Sequence, residues 1–280
     1  MPQHDPENVL AASANALRNA EALLITAGAG FGVDGGLPDF RGANGFWNAY
    51  PAYKLLGMEF SDLANPDALV ENPRLFWGFY HHRIELYKAK PPHHGYQILR
   101  RLVERIGSSF VFTSNVDGHF LAAGFSPDQV VECHGSLSFL QCSRRCDDSL
   151  WSSTGLGFTL SKDMLVEGSL PVCPRCDAVA RPNVLLFGDD DWVDSRMSEQ
   201  YERLDRWTTA VHGRRVVVLE LGAGTAIPTV RLEGEVFSRQ MAASLIRVNP
   251  REAFGPRGTI SLAMSALAAL TEIEKLVCDF

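Results

Sequence analysis

The sequence predicts an α/β fold with a doubly wound parallel sheet and a smaller lobe beside it. Short apolar runs that do not alternate with polar residues recur along the chain, which is typical of strands buried on both faces of a parallel sheet. Predicted helices lie between several of these runs, around residues 95–106, 197–210 and 262–276. This alternation is that of a Rossmann-like domain. Two stretches, 45–90 and 139–182, do not follow this alternation of strands and helices.

The sequence predicts an N-terminal helix followed by six strands. The helix begins near Pro6, with Asp5 as its cap and Leu10, Ala14 and Leu17 at helical spacing. Each predicted strand is a continuous apolar run, and the runs are residues 23–26, 110–113, 130–131, 184–187, 216–219 and 245–248.

We predict one domain with two lobes. The large lobe comprises residues 1–44, 91–138 and 183–280, and it carries the parallel sheet. The small lobe combines an aromatic, helical insert at 45–90 with a cysteine-containing module at 139–182. In such folds, binding sites lie at the carboxyl ends of the strands and between lobes.

Composition and charge exclude several classes of protein. The 280 residues are 46% apolar and 21% charged, which excludes a disordered, collagen-like or coiled-coil chain. The net charge of −7 argues against nucleic acid as the main partner. Apolar runs stay short of the roughly 20 residues that a membrane span needs, so we expect no membrane partner. The first ten residues lack the basic flank and apolar block of a secretory signal, and we expect a cytoplasmic protein with reduced thiols.

Four of the six cysteines form two close pairs, Cys142 with Cys146 and Cys173 with Cys176. In a reducing compartment such pairs favour zinc ligation over disulfides. Pairs separated by two to four residues can each span one edge of a tetrahedral zinc site. Four thiolates leave no open position, so the predicted site is structural. The alternative is two buried or redox-active pairs.

A glycine-rich segment, Gly28-Ala29-Gly30, directly follows the first predicted strand. Glycines let backbone amides approach a phosphate, and a following helix start favours an anion, although a flexible turn explains these glycines equally well. The chain continues through Pro38, which stiffens the loop, to Arg41, which could make a forked contact to a diphosphate or a ribose edge.

The motifs resemble those of the sirtuins, the NAD-dependent protein deacylases. Residues 28–30 and 36–41 resemble the GAG loop and the G-I-P-D-F-R motif of that family. Further resemblances follow in order, and they cover the T-Q-N-I-D motif (113–117), the motif of the catalytic histidine (132–136), the zinc ribbon (142–176), the R-P-x-V-x-x-F-G-E segment (181–189), the G-T-S loop (221–225) and the I-N pair (248–249). The chain departs from the pattern at Ser114, where the family usually has Gln, and the G-T-S match is loose.

The resemblance implies a NAD-dependent protein-lysine deacylase that acts on acyl-lysine proteins. Such an enzyme consumes NAD as a co-substrate, transfers the acyl group to ADP-ribose, and releases nicotinamide and O-acyl-ADP-ribose. It implies His134 as the catalytic base, a role that an imidazole can take near neutral pH, with Asn115 orienting the ribose and water. The implied NAD-binding residues are Gly28, Ala29, Gly30, Asp39, Phe40, Arg41, Ser114, Asn115, Asp117, His134, Gly222, Gly224 and Asn249, and the implied structural zinc ligands are the four paired cysteines.

Tyr80 and Arg83 suggest an acyl preference. They are three residues apart and would share one face of a helix, where a phenol and a guanidinium could together bind a carboxylate. By physics alone, a surface Arg83 paired with an acid such as Glu85 is the favoured explanation. The pair also resembles the Y-x-x-R signature of sirtuins that remove malonyl, succinyl or glutaryl groups, which implies a preference for acidic acyl groups with acetyl as an additional substrate. The implied substrate-binding residues are Tyr80, Arg83, Val184, Leu185 and Phe187.

Two other functions compete with deacylation. A protein ADP-ribosyltransferase or NAD glycohydrolase could use the same pocket, and the serine at position 114 keeps that alternative open. A non-catalytic NAD-binding sensor is the third hypothesis, against which His134, Asn115 and Asp117 count.

Overall fold

The structure, a computed structural model, describes residues 6–38, 46, 50–55 and 57–278. Its strands are β1 (Ala22–Ala27), β2 (Ser109–Thr113), β3 (Val130–Glu132), β4 (Gly135–Cys142), β5 (Trp151–Ser152), β6 (Thr159–Leu160), β7 (Val166–Glu167), β8 (Ala180–Val184), β9 (Val216–Leu221), β10 (Ser244–Val248) and β11 (Ile260–Leu262). Its helices are α1 (Pro6–Arg18), α2 (Ala29–Val33), α3 (Pro51–Leu55), α4 (Phe60–Leu63), α5 (Pro66–Glu71), α6 (Pro73–Ala89), α7 (His94–Ile106), α8 (His119–Ala122), α9 (Ser195–Ala210), α10 (Thr229–Gln240) and α11 (Ala266–Cys278).

Six strands form one parallel sheet in the order β11-β10-β9-β1-β2-β3. Successive side chains of a strand point to opposite faces, and β1 divides accordingly. Leu23 and Ile25 join the apolar core that contains α1, α7 and α11, whereas Ala22 and Leu24 join the core that contains α9 and α10. Helices therefore cover both faces, which confirms the doubly wound α/β fold predicted from the sequence.

One predicted strand is wrong. The run at 184–187 was expected to be a strand of the parallel sheet, but β8 ends at Val184 and pairs antiparallel with β4 in the small sheet β5-β4-β8. Leu185 and Phe187, which follow, are 41% and 47% exposed. The run is apolar because it borders a cleft and not because both of its faces are buried. Strand β11 at the sheet edge was not predicted.

A third apolar core lies beside the parallel sheet and joins α3–α6 to β4 and β8. Helix α6 begins at Pro73 and is capped by Asn72, whose side-chain oxygen accepts from the amide of Leu75 at 3.1 Å. The indole of Trp77 donates to the carbonyl of Ala180 at 2.9 Å. This bond fixes α6 against β8 and so positions the side chains of α6 that face the cleft. The division of the chain into two lobes at the predicted boundaries stays a prediction.

Over the described part of the chain, no helix combines the length and the apolar character needed to cross a membrane.

Candidate active site

A cleft opens at the carboxyl ends of β1, β2 and β3, and it contains a cavity of about 260 Å³. The large sheet contributes Ala29, Ser114, Asn115, Asp117 and His134 to its lining. The opposite wall carries Tyr80, Arg83, Val184, Leu185 and Phe187. The predicted catalytic and substrate-binding residues therefore lie around one cavity.

Asn115 is held by the chain that leaves β2. The hydroxyl of Thr113 donates to the carbonyl of Ala27 at 2.9 Å and accepts from the amide of Asn115 at 3.0 Å. The amide of Ser114 donates to the same carbonyl at 3.1 Å. Asn115 is buried, and its Nδ2 has no hydrogen-bond partner among the described residues. A buried amide donor without a partner is costly, so this group is available to a ligand in the cavity.

Asp117 lies two residues further along, and its side chain is only 6% exposed. One carboxylate oxygen accepts from the amide of His119 at 2.8 Å, and the other lies 3.9 Å from His119 Nδ1. Burial raises the pKa of Asp117 above its ordinary value, and the neighbouring His119 opposes that shift. The carboxyl group can therefore act as a hydrogen-bonding group at the floor of the cavity.

His134 occupies the turn between β3 and β4 and is half-buried. Its carbonyl accepts from the amide of Leu185 at 3.0 Å. Gly135 has a φ of +76°, and a Cβ there would lie 2.1 Å from the carbonyl oxygen of Asn183, so only glycine fits. Below the turn, the buried Glu132 binds Arg196. These contacts fix the backbone that carries the imidazole.

The glycine-rich segment lies between this cavity and a second one of about 420 Å³, since Ala29 lines the first and Gly30 lines the second. The amide of Gly30 donates to the carbonyl of Gly222 at 3.0 Å. A Cβ on Gly30 would lie 2.7 Å from that oxygen, and a Cβ on Gly28 would lie 2.8 Å from Ala223 Cα. Both glycines are thus required by the packing of two loops against each other, a reason that the sequence pattern alone did not indicate.

The second cavity is lined by the predicted residues Gly222, Gly224 and Asn249. The side chain of Asn249 donates to the carbonyl of Ala223 at 2.9 Å and accepts from the amide of Glu252 at 2.9 Å. It therefore joins the two loops that form the cavity wall. The predicted contacts of Asp39, Phe40 and Arg41 lie outside the described residues.

Arg83 is buried and does not pair with Glu85, which instead binds Lys88 at 2.8 Å. Its Nη2 donates to the hydroxyl of Tyr87 at 3.0 Å. Tyr80 is 1% exposed, and burial raises the pKa of its phenol to about 12, although the Arg83 charge opposes that shift. The cation and a neutral phenol thus face the same cavity.

The four paired cysteines meet in one cluster, with all Sγ atoms within 4.8 Å of one another. Cys142 and Cys176 are 3.5 Å apart and Cys146 and Cys173 are 3.6 Å apart. These separations exceed a disulfide bond and match the edge of about 3.8 Å in a tetrahedral zinc site with bonds of about 2.3 Å. Hydrogen bonding from the backbone amide of Arg175 lowers the pKa of the Cys173 thiol to about 7, which favours the thiolate. The cluster fits structural zinc.

Comparison with known proteins agrees with this geometry. Residues 28–212 match the model of the Sir2 family. The chain belongs to the Sir2 family. Among its sirtuin relatives, the NAD-dependent protein deacylase of Aeropyrum pernix is 31% identical over 239 residues, which cover 85% of this chain and 84% of that protein. The NAD-dependent protein deacylase of Aquifex aeolicus is 28% identical over 236 residues, covering 84% and 86%.

Solved sirtuin structures share the fold. A Sir2 homologue in complex with ADP-ribose is 25% identical, covers 95% of both chains and superposes with a TM-score of 0.68. A Sir2 homologue in complex with NAD is 25% identical, covers 98% of this chain and 94% of the other, and has the same TM-score of 0.68.

The sequence analysis did not single out Tyr87 or His119. Tyr87 lines the cavity and binds Arg83, and its spacing of four residues from Arg83 on a predicted helix was a usable signal. His119 packs beside Asp117, and its buried Nε2 has no hydrogen-bond partner among the described residues. Its position two residues after Asp117 gives no comparable signal.

Proposed function

We propose that this sirtuin is a NAD-dependent protein-lysine deacylase that acts on acyl-lysine proteins. The observation that carries the proposal is the meeting of Asn115 and Asp117, which follow β2, with His134, which follows β3, around one cavity beside the glycine loop. The relatives from Aeropyrum pernix and Aquifex aeolicus are named NAD-dependent protein deacylases, which supports deacylation over ADP-ribosyl transfer to protein or NAD hydrolysis. The cytoplasmic location expected from the sequence stays a prediction.

The two cavities fit a dinucleotide. They lie on either side of residues 28–30, so a ligand that passes over this segment can reach both. The buried Nδ2 of Asn115 is an available donor in the first cavity, and Asp117 offers an acceptor there for an amide donor such as a carboxamide. When bound, NAD supplies a glycosidic bond whose cleavage makes the ribose carbon electrophilic.

The roles of the chain's own residues follow from their positions. The half-buried imidazole of His134 can accept a proton from a ribose hydroxyl at the cavity wall. Asn115 orients the ribose and a water molecule through its side-chain amide. Leu185 and Phe187 present exposed apolar side chains at the cleft, where they can pack against the stem of an acyl-lysine.

Tyr80 and Arg83 are proposed to select acidic acyl groups such as succinyl. A guanidinium in a largely buried pocket binds a carboxylate more strongly than one in water, because fewer water molecules compete for it. An acetyl group makes no such ion pair, so it is the weaker of the two substrates. Replacement of Arg83 by methionine keeps most of the side-chain length and should abolish the preference for succinyl-lysine over acetyl-lysine peptides.

The test of the proposal is a product analysis. The protein is incubated with NAD and a panel of acyl-lysine peptides, and every nucleotide product is identified by mass spectrometry. We expect nicotinamide and O-acyl-ADP-ribose from the wild type and near-complete loss of both in His134→Ala. The exposed His212 provides the matched control His212→Ala, which should keep full activity.

Two results would contradict the proposal. Unchanged turnover in a folded His134→Ala protein would show that the imidazole is not the base. Free ADP-ribose or ADP-ribosylated protein in place of O-acyl-ADP-ribose would show that the cleft serves the glycohydrolase or transferase reaction.

A further inference from the structure

Tyr87 contacts the guanidinium of Arg83 in two ways. Its hydroxyl accepts the hydrogen bond from Nη2 at 3.0 Å, and its ring centroid lies 5.6 Å from the guanidinium carbon. The two residues are one helical turn apart on α6, a spacing that places their side chains side by side. Tyr87 therefore constrains both the direction and the plane of the guanidinium.

Among the described residues, three other aromatic rings surround the same cation. The guanidinium carbon lies 5.5 Å from the centroid of Phe60, 5.4 Å from that of Phe79 and 5.7 Å from that of Tyr80. Rings at these distances attract a cation without fixing the direction of its N–H groups. Each of these contacts is weakly directional, whereas the hydrogen bond to Tyr87 is directional.

The position of Tyr87 is itself fixed from the other side of the cleft. Its ring meets that of His119 at a centroid distance of 6.3 Å and an angle of 68°. His119 begins α8, directly after the segment that carries Asn115 and Asp117. Tyr87 thus bridges α6 to the sheet side of the cleft, where Asn115 and Asp117 line the same cavity as Tyr87.

We propose that Tyr87 is a positioning residue that orients the guanidinium of Arg83 for an acyl carboxylate and thereby determines the selectivity for acidic acyl groups. The inference rests on the proposed function and adds a specificity residue to it. A fixed guanidinium loses less side-chain entropy when it binds its ligand, which is how a residue that acts through another can raise affinity.

The test uses the full chain and measures binding as well as turnover. Dissociation constants of a succinyl-lysine peptide and the matching acetyl-lysine peptide are measured by calorimetry without NAD, and KM and kcat are measured with it. The variant Tyr87→Phe keeps the ring and removes only the hydroxyl. We expect the succinyl-to-acetyl affinity ratio to fall about tenfold, as for the loss of one hydrogen bond to a charged group, with the loss in turnover appearing in KM for the succinyl peptide.

Tyr53→Phe is the matched control. Tyr53 is fully buried in the same aromatic cluster, and its hydroxyl has no hydrogen-bond partner among the described residues. The control should therefore leave the affinity ratio unchanged. A merely structural effect of Tyr87→Phe would weaken both peptides equally and leave the ratio constant.

The outcomes separate the two proposals. If Arg83→Met abolishes the succinyl preference while Tyr87→Phe leaves the ratio unchanged, the inference is wrong and the deacylase function stands. If the wild type shows no preference for the acidic group, the inference is wrong as well. If the wild type deacylates neither peptide in the presence of NAD, the proposed function fails, and the positioning role for deacylation fails with it.

Discussion

Arg247 provides a sharp test of how the elements beside the second cavity are held together. It lies within β10 and is 0% exposed. Its Nε and Nη2 donate to the two carboxylate oxygens of Glu220 at 2.6 and 2.9 Å, and Nη2 also donates to Glu235 at 2.8 Å. Its Nη1 donates to the carbonyl of Phe254 at 2.8 Å. The side chain therefore joins β9, α10 and the loop after β10.

The substitution Arg247→Met fills similar space and leaves the buried carboxylate of Glu220 without its strongest partner. Removal of one member of a buried pair costs about 3–5 kcal/mol. For a chain of this size, each kcal/mol lowers the melting temperature by roughly 2–4 °C, so we expect a decrease of roughly 10 °C. The double variant Glu220→Gln with Arg247→Met removes both charges and should recover much of the loss.

The loss of folding stability in Arg247→Met should also depend on pH. Burial raises the pKa of Glu220, and the charge of Arg247 opposes that shift, so the substitution raises this pKa further. A carboxyl whose pKa is higher in the folded than in the unfolded state favours folding at low pH, and this contribution is lost as pH rises through the folded pKa. Urea unfolding should therefore give a smaller deficit at about pH 5 than at about pH 8. A deficit below about 1 kcal/mol, or one independent of pH, would refute the reasoning.

Two further predictions concern the metal cluster and the glycine loop. Cys173→Ser should lose zinc and melt at a lower temperature, because ligation by four thiolates contributes to folding. Metal analysis of the purified variant checks this prediction. The control is Cys133→Ser, which lies outside the cluster and should keep its metal. Gly30→Ala should lower stability by about 1–3 kcal/mol and weaken NAD binding measured by calorimetry, since the new Cβ would meet Gly222. Its control is Gly157→Ala, where a Cβ meets nothing within 4 Å, and equal NAD affinities for the two variants would contradict the prediction.

Local patterns in the sequence predicted most of the fold. Continuous apolar runs predicted five strands of the parallel sheet, because a strand buried on both faces has no polar side to alternate with. The same rule misassigned 184–187, since an apolar segment beside a cleft has the same composition as a buried strand. Strand β11 has only three residues, Ile260–Leu262, too few for a periodic signal.

The sequence predicted those parts of the site whose residues lie close together along the chain. The cysteine pairs and the pair Tyr80 and Arg83 are local patterns, and the structure brings each together. The bond between Arg247 and Glu220 joins residues 27 positions apart on neighbouring strands, and no sequence period connects them. Contacts of this kind depend on strand order, which the apolar pattern does not specify.

The wall between the two cavities is built from main-chain atoms of the loops at Gly30 and Gly222, whereas the guanidinium of Arg83 belongs to α6 on the far side of the first cavity. Under the proposed function, the lysine modification and the nucleotide are recognised by separate parts of the chain. Exchange of side chains on α6 is then a route to new acyl selectivities that leaves the dinucleotide cradle intact.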